Sequence, residues 1–463
     1  VSGGASLAGG TRPELDEWGL PSGPPSAAAA AAAQLAQQRC APACAASSSP
    51  SPGGTNTTLA AGYALGTVVG QGGFCKVRVA THSLSGARVA VKVTDKRALL
   101  DANDRRRVGR EVRVLRRLAC GAVIRLFDVV SAPNHIFVVM EYADGGSLLD
   151  HVRSAGRLPE HRAARLFQQL LAGVQFCHAH GVIHRDVKLE NALLDRDGNV
   201  KLIDFGLAAL VPSLATMLRV HCGSPSYAAP EIVARKPYRG PPVDVWSLGV
   251  VLFACVAGYL PFHAPPGAKN ELSAKILKGQ FSFPEGVSCD LQELLRAMLV
   301  VDPARRADTE GVNAYRWMRH ALAQHPAPVP HGPPAALDEQ NVDCERLEAL
   351  EQLGVPRGAL LADLQAGETN YMTASYHLWG CGVGGAPSGF GPAPPARAVT
   401  PEAQGAAAHS SPAVESSAGA LGATTPPPSR GGRRLSGLSW VASPLSSEGG
   451  HRPSVAQADD SGA

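Results

Sequence analysis

Four short clusters in the 463-residue chain hold side chains whose chemistry goes beyond packing. Gly70-Gln71-Gly72-Gly73-Phe74-Cys75-Lys76-Val77 is glycine-rich, and glycines let backbone N–H groups approach phosphate oxygens without a Cβ in the way. It lies between two strand signals and not ahead of a helix, which speaks against a P-loop or a dinucleotide-binding turn. Lys92 ends the apolar run Val89-Ala90-Val91, where a buried ammonium needs a partner; Glu111 on the next helical stretch is a candidate. His184-Arg185-Asp186-Val187-Lys188-Leu189-Glu190-Asn191 sets a carboxylate, a lysine two residues on and an amide five residues on in one polar loop. Such a loop can orient a hydroxyl, neutralise a phosphate and coordinate a metal. Asp204-Phe205-Gly206 follows a strand signal at 200–203, and Asp204 beside Asn191 offers the hard oxygen ligands that magnesium needs.

These clusters need elements to bring them together. From Tyr63 to Tyr142 apolar residues alternate or run in short blocks, at 68–69, 77–79, 89–91, 124–130 and 136–140, with glycine or polar breaks between. One helical stretch, 106–118, interrupts them, with Val108, Val112, Leu115 and Leu118 near one face. From Leu148 the periodicity is helical, for example over 163–178, 243–257 and 291–300. The pattern predicts a β-rich lobe followed by a helical lobe, an α+β class, with the polar clusters near their junction.

Composition limits the alternatives. The 50 glycines and 37 prolines are too many for a wholly globular chain. Residues 1–60 carry five charged residues, an alanine run at 27–33 and a Ser/Pro/Gly cluster at 47–54, and read as a low-complexity, disordered arm. Residues 381–463 read as a second disordered tail, and 338–380 as a compact helical patch between. A net charge of +4 gives no reason to expect nucleic acid. The uncharged stretch 246–262 is short for a membrane span and ends in Gly and Pro, so it reads as a buried core helix and no membrane is expected. Ten scattered cysteines without a CxxC pair speak against structural zinc and for reduced thiols in cytoplasm or nucleus.

The four clusters, in this order and spacing, resemble the eukaryotic protein kinase family over residues 63–317. Ala229-Pro230-Glu231, Asp244-Val245-Trp246-Ser247-Leu248-Gly249 and Asp302-Pro303-Ala304-Arg305-Arg306 add to the resemblance. It implies a bilobal fold and transfer of the γ-phosphate of ATP to protein hydroxyls, with Mg as cofactor. Gly70, Gln71, Gly72 and Gly73 would cover the phosphates; Val77, Ala90 and Leu193 would sandwich the adenine; Met140 would be the gatekeeper, and Glu141 and Ala143 would bond the adenine edge. Lys92, fixed by Glu111, would hold the α- and β-phosphates. Asn191 and Asp204 would bind the metal, Lys188 would steady the γ-phosphate, and Asp186 would accept the hydroxyl proton. Glu231 and Arg306 look like a buried ion pair anchoring the activation segment. Lys188 and Ser224 resemble serine/threonine kinases, and the runs 222–231 and 238–246 look like the AMP-activated (sucrose-non-fermenting) kinase-related group. Residues 347–379 are similar to the ubiquitin-associated-like domain of that group. That implies either an intramolecular contact that stabilises the catalytic domain or a ubiquitin-binding module. Protein substrates and ATP are the implied partners, and regulatory subunits are compatible with the resemblance.

Four positions depart from the family pattern. Cys75 replaces the third glycine of the phosphate loop, and Cys120-Gly121 replaces a His-Pro turn. Ser147 stands where basophilic relatives carry a glutamate for a substrate arginine, leaving Glu190 as the acidic contact. Val220 stands where relatives carry the phosphorylated threonine. Packing of the Val220 side chain or a phosphate on Thr216 would then order the segment; otherwise the segment stays loose and the enzyme needs a partner.

Overall fold

The computed structural model describes residues 27–40, 58–59, 62–73, 75–324 and 341–381. The chain opens with helix α1 (Ala27–Cys40) and continues through strands β1 (Thr58–Leu59), β2 (Tyr63–Gln71), β3 (Cys75–His82) and β4 (Arg88–Asp95). Helix α2 (Ala102–Leu115) follows, then β5 (Leu126–Ser131) and β6 (His135–Glu141). The strands form one antiparallel sheet in the order β1-β2-β3-β4-β6-β5. The period of two along β4 decides what each face does. Val89 and Val91 are buried on one face, while Ala90 and Lys92 point to the other and stay partly exposed. α2 starts four residues before the predicted stretch because the Asp101 carboxylate caps it, accepting the Asn103 N–H at 2.8 Å.

The second lobe is helical. It comprises α3 (Leu148–Ala155), α4 (Glu160–Ala179), a short α5 (Pro230–Val233), α6 (Gly240–Ala257), α7 (Lys269–Lys278), α8 (Cys289–Met298), α9 (Thr309–Ala314) and α10 (Arg316–Gln324). Small antiparallel ladders lie between the helices. β7 (Val182–Ile183) pairs with β10 (Ala209–Leu210), β8 (Ala192–Leu194) with β9 (Val200–Leu202), and β11 (Met217–Leu218) with β12 (Tyr238–Arg239). α6 is long and apolar enough to cross a membrane by composition, but Trp246, Leu248, Val250, Leu252 and Phe253 are buried inside this lobe. It ends at Gly258, whose φ of 81° is in the left-handed region that lets the chain turn away.

Three more helices, α11 (Cys344–Gln352), α12 (Arg357–Gln365) and α13 (Tyr371–Leu378), fold together inside the predicted helical patch. They do not stand alone. Leu347, Leu350, Leu360 and Met372 belong to one apolar cluster with Leu65, Val89, Val91 and Val139 of the sheet. The cluster includes Ala29, Ala32 and Ala33, which corrects the reading of residues 27–40 as part of an unstructured arm. Alanine has the highest intrinsic helix propensity, and its small side chain lets α1 approach α13 closely. Of the other residues expected to be unstructured, 1–26, 41–57, 60 and 382–463 lie outside the described set, while Thr58–Leu59 pairs with β2 and Cys381 directly follows the helical patch.

Candidate active site

The face of β4 opposite the helical unit holds the first half of the site. Lys92 reaches Glu111 of α2 with its Nζ 2.7 Å from both carboxylate oxygens. Burial by itself works against the Lys92 ammonium, but Glu111 and then Asp204 outweigh it and hold its pKa above the ordinary lysine value. Val77 lies opposite Lys92 in the β3–β4 register, and Ala90 lies opposite both Val79 and Met140. Directly opposed residues share a face, so Val77, Ala90 and Met140 line the same side as Lys92. All three stay partly exposed while their neighbours Val89, Val91 and Val139 are fully buried, as expected for an apolar wall beside an open cleft.

The chain then crosses to the helical lobe. Glu141 is anchored at both ends of its residue: its N–H donates to the Arg125 carbonyl at 2.8 Å, and its carboxylate lies 2.7 Å from Lys201 Nζ. Two residues past Ala143, the Gly145 N–H donates to the Leu194 carbonyl at 2.8 Å and the Leu194 N–H returns a bond to Gly146. A Cβ on Gly145 would stand 2.8 Å from the carbonyl oxygens of Leu194 and Asp195, so only glycine permits this approach. The stitch places Leu193 beside the crossing, bridged to Ser147. Ser147 itself caps α3: its Oγ accepts the Asp150 N–H at 3.1 Å, and Asp150 accepts the Ser147 N–H at 3.0 Å.

The second half of the site is a hydrogen-bonded loop at the top of the helical lobe. Asp186 Oδ2 accepts Lys188 Nζ at 2.8 Å and Asn191 Nδ2 at 3.2 Å. Its Oδ1 accepts both the N–H and the Oγ–H of Ser224 at 2.9 Å, and Lys188 Nζ also donates to Ser224 Oγ at 2.9 Å. Asn191 Nδ2 also donates to the Asp186 carbonyl at 2.9 Å, which leaves its Oδ1 as the atom with lone pairs for a cation. Asp204 is exposed. Burial of its surroundings works to raise its pKa, but Lys92, His184 and the Gly206 N–H hold the carboxyl below the usual range. An ionised carboxylate and an amide oxygen are a donor pair that fits magnesium.

Two non-glycine residues of this region, Arg185 and Asp204, have φ of 67° and 63°. Such backbone costs on the order of 1–3 kcal/mol and persists only where neighbours over-determine it. For Arg185 the neighbour is Asp244 of α6, fully buried. Asp244 accepts the His184 N–H at 2.9 Å and the Arg185 N–H at 2.8 Å, and lies 2.8 Å from His178 Nε2. Burial pushes the Asp244 carboxyl up, but the His178 bond and charge lead the groups that hold it below the ordinary value. No positioning role for Asp244 or His178 was read from the sequence, where Asp244 stood only as part of a motif.

Arg306 forms a bidentate pair with Glu231, at 2.8 and 2.9 Å, as the resemblance implied. It also donates to the Pro242 carbonyl at 2.6 Å, tying α5 to α6. Val220 corrects one expectation. The residue is 65% exposed, so its side chain does not order the segment by packing. Its carbonyl does the holding, accepting Tyr238 Oη at 2.7 Å and Arg185 Nη1 at 3.3 Å. The ladder of β11 with β12 adds to this clasp, as does the 2.9 Å contact of His221 Nε2 with the Lys236 carbonyl.

Residues 63–318, more than half of the chain, match the protein kinase domain. The chain is 38% identical over 326 residues to serine/threonine protein kinase OSK4 of Oryza sativa subsp. indica, covering 70% of this chain and 63% of the relative. The same figures hold for serine/threonine protein kinase OSK3. The serine/threonine-protein kinase SIK3 homolog of Danio rerio is 37% identical over 330 residues, covering 68% of this chain and 27% of the relative. The chain thus spans less than two thirds of the length of these relatives. A match over both lobes, with the site clusters all inside it, makes this chain a member of the protein kinase family.

Proposed function

We propose that the chain transfers the γ-phosphate of ATP to serine and threonine hydroxyls of protein substrates. The observation that carries this is the bonded set Asp186, Lys188, Ser224 and Asn191 facing the Lys92–Glu111 pair and Asp204. Asp186 accepts the proton of the attacking hydroxyl, and its bonds to Lys188 and Ser224 fix the carboxylate for that task. Lys188 and Lys92 neutralise phosphate charge, and Glu111 holds Lys92 in place. Asn191 Oδ1 and the Asp204 carboxylate hold magnesium, which supplies charge neutralisation on the phosphates. The purine fits between Val77, Ala90 and Leu193, with Met140 behind it and the backbone of Glu141 and Ala143 at its edge. Gly70, Gly72 and Gly73 carry no Cβ, so the backbone of this turn, Gln71 included, lies close above the phosphates; the Gly72 N–H itself is held by the Cys75 carbonyl at 2.8 Å. Protein substrates in the cytoplasm or nucleus are the proposed targets.

The three helices 344–378 take the part of a ubiquitin-associated-like brace on the catalytic domain. The apolar cluster they share with the sheet supports an intramolecular role over ubiquitin capture. Titration of the full chain with ubiquitin, monitored by NMR, tests this: saturable shifts at α11–α13 would favour capture.

The kinase reading is tested with the purified chain, Mg-ATP and a degenerate Ser/Thr peptide library. Asp186→Asn lowers phosphate incorporation by about 10²–10⁴-fold. Unchanged incorporation in that variant, or none in the parent chain, refutes the assignment.

A further inference from the structure

The ladder of β11 with β12 has one covered face and one open face. Leu218 and Tyr238 are opposed in its register, and Tyr238 is buried. Met217 and Arg239 are the other opposed pair, and directly opposed residues share a face. Both are exposed, Met217 at 51%. Arg219 follows two residues after Met217 and is exposed as well. The turn into β12 adds Arg235 and Lys236, also exposed, and the Lys236 carbonyl lies 2.9 Å from His221 Nε2. The open face thus has an apolar centre and a basic rim.

This charge is not balanced from within. Between Asp204 and Asp244 the sequence holds four Arg and Lys residues, these same four, and one carboxylate, Glu231. Glu231 is buried and paired with Arg306 at 2.8 Å. None of the four cations is paired with a carboxylate among the described residues. Arg235 adds a backbone argument. Its φ is 53°, in the left-handed region that glycine enters without steric cost. It sits just past α5, where its N–H donates to the Ile232 carbonyl at 3.1 Å and the Lys236 N–H to the Glu231 carbonyl at 3.0 Å. Glycine usually serves such a helix-ending turn. An exposed arginine there gains no packing to offset the backbone cost, which points to a use for its guanidinium outside the fold.

We propose that Arg219, Arg235, Lys236 and Arg239, around Met217, form a docking surface for an acidic stretch of the protein substrate. This rests on the kinase reading and adds a substrate class to it. Guanidinium forks match carboxylates with two parallel bonds. Location sets the offset from the acceptor. Ser224 Oγ donates to Asp186 Oδ1 at 2.9 Å, and Arg219 lies five residues before Ser224. At most about 17 Å of extended chain therefore separates Arg219 from the catalytic carboxylate. A substrate chain of the same rise brings Asp or Glu onto this face within about six positions of the acceptor. A peptide is favoured over nucleic acid. The two aromatic residues of 211–240 outside the histidine, Tyr227 and Tyr238, are buried, so the face offers no ring on which a base could stack.

The surface and the kinase reading fail separately. In the first arm the purified full chain with Mg-ATP turns over peptide libraries with Asp or Asn fixed at each offset from an acceptor serine. Asp at one offset, or at two adjacent ones, raises kcat/KM about five- to ten-fold, as two exposed ion pairs would, through KM with kcat unchanged. In the double variant Arg235→Gly, Arg239→Ala the ratio falls toward one, while neutral peptides turn over as before. In Arg235→Glu, Arg239→Glu it inverts in favour of lysine at the same offset, which a merely structural role would not produce. A ratio of one at every offset in the parent chain, or a preference for Asp that survives in both double variants, overturns the surface. The second arm needs no catalysis: binding of a fluorescein-labelled Asp peptide to the full chain, with a non-hydrolysable ATP analogue and Mg, is followed by anisotropy. An affinity that falls in the double variants supports the surface even where no peptide is phosphorylated, a result that refutes the kinase reading alone. Tighter binding of a DNA oligonucleotide than of the Asp peptide, lost in the same variants, assigns the face to nucleic acid and overturns the substrate proposal.

Discussion

Replacing Asp128 by asparagine will change the pH dependence of stability in a calculable way. Asp128 lies on β5, 3% exposed, at the seam where the sheet meets α13, and accepts Tyr63 Oη at 3.1 Å. Burial pushes its carboxyl up to about 7, only partly offset by the Tyr63 bond, the Val129 N–H and Arg116. Unfolded, it titrates near the ordinary value of about 3.9. Between these values the folded chain holds a proton that the unfolded chain has lost, so unfolding free energy falls by about 1.4 kcal/mol per pH unit as pH rises. The contribution is complete below the unfolded pKa and is lost as pH rises through 7. From pH 5.5 to 8 the parent chain therefore loses about 1.4 × 1.5, or about 2 kcal/mol, from this group. Asparagine holds no such proton and its amide oxygen still accepts from Tyr63. The variant-minus-parent difference should thus move by about 2 kcal/mol in favour of Asp128→Asn over that interval. His82, driven by burial down to about 3, gives an opposite slope, but equally in both proteins, so it cancels. Urea unfolding at the two pH values measures the difference. A pH-independent difference would refute the buried-proton argument.

Asp204→Ala should weaken nucleotide binding mainly when Mg is present, because its carboxylate acts through the metal; calorimetry with and without Mg would contradict this if both affinities fell equally. Tyr238→Phe removes a hydrogen bond worth about 1 kcal/mol to the Val220 carbonyl and should lower kcat of phosphatase-treated protein about five-fold, with the KM for ATP unchanged. An unaltered kcat would show that the clasp does not position the segment.

Much of the site was readable because its chemistry is concentrated in short runs. Lys92 and Glu111 could be paired from a strand end and a helical face, and the sheet register then brought Val77, Ala90 and Met140 to the same side. What escaped the reading depends on packing between distant segments. An alanine run has no apolar periodicity, so nothing in residues 27–33 announces that Ala29, Ala32 and Ala33 lie against α13. Asp244 sits in an apolar helix, and only the fold shows that the backbone of His184 and Arg185 ends on its carboxylate. Ser147 was legible and was passed over: Ser147 followed three residues later by Asp150 is a helix-capping pattern. A serine engaged in capping α3 is committed to structure, and Glu190, the acidic contact that the resemblance left, accepts Tyr227 Oη at 3.3 Å.

Val220 shows why a side-chain reading misjudged the activation segment. The expectation weighed what valine lacks, a hydroxyl, and what it has, an apolar surface. The fold uses neither. The Val220 side chain points into solvent, and the bonds from Tyr238 and Arg185 go to a carbonyl that every residue type possesses. Those bonds, with the β11–β12 ladder, tether the segment on both sides of residue 219 whatever occupies position 220. A phosphothreonine there would add charge-assisted bonds to a segment that is already attached. Substitution by valine therefore removes the phosphate without removing the attachment.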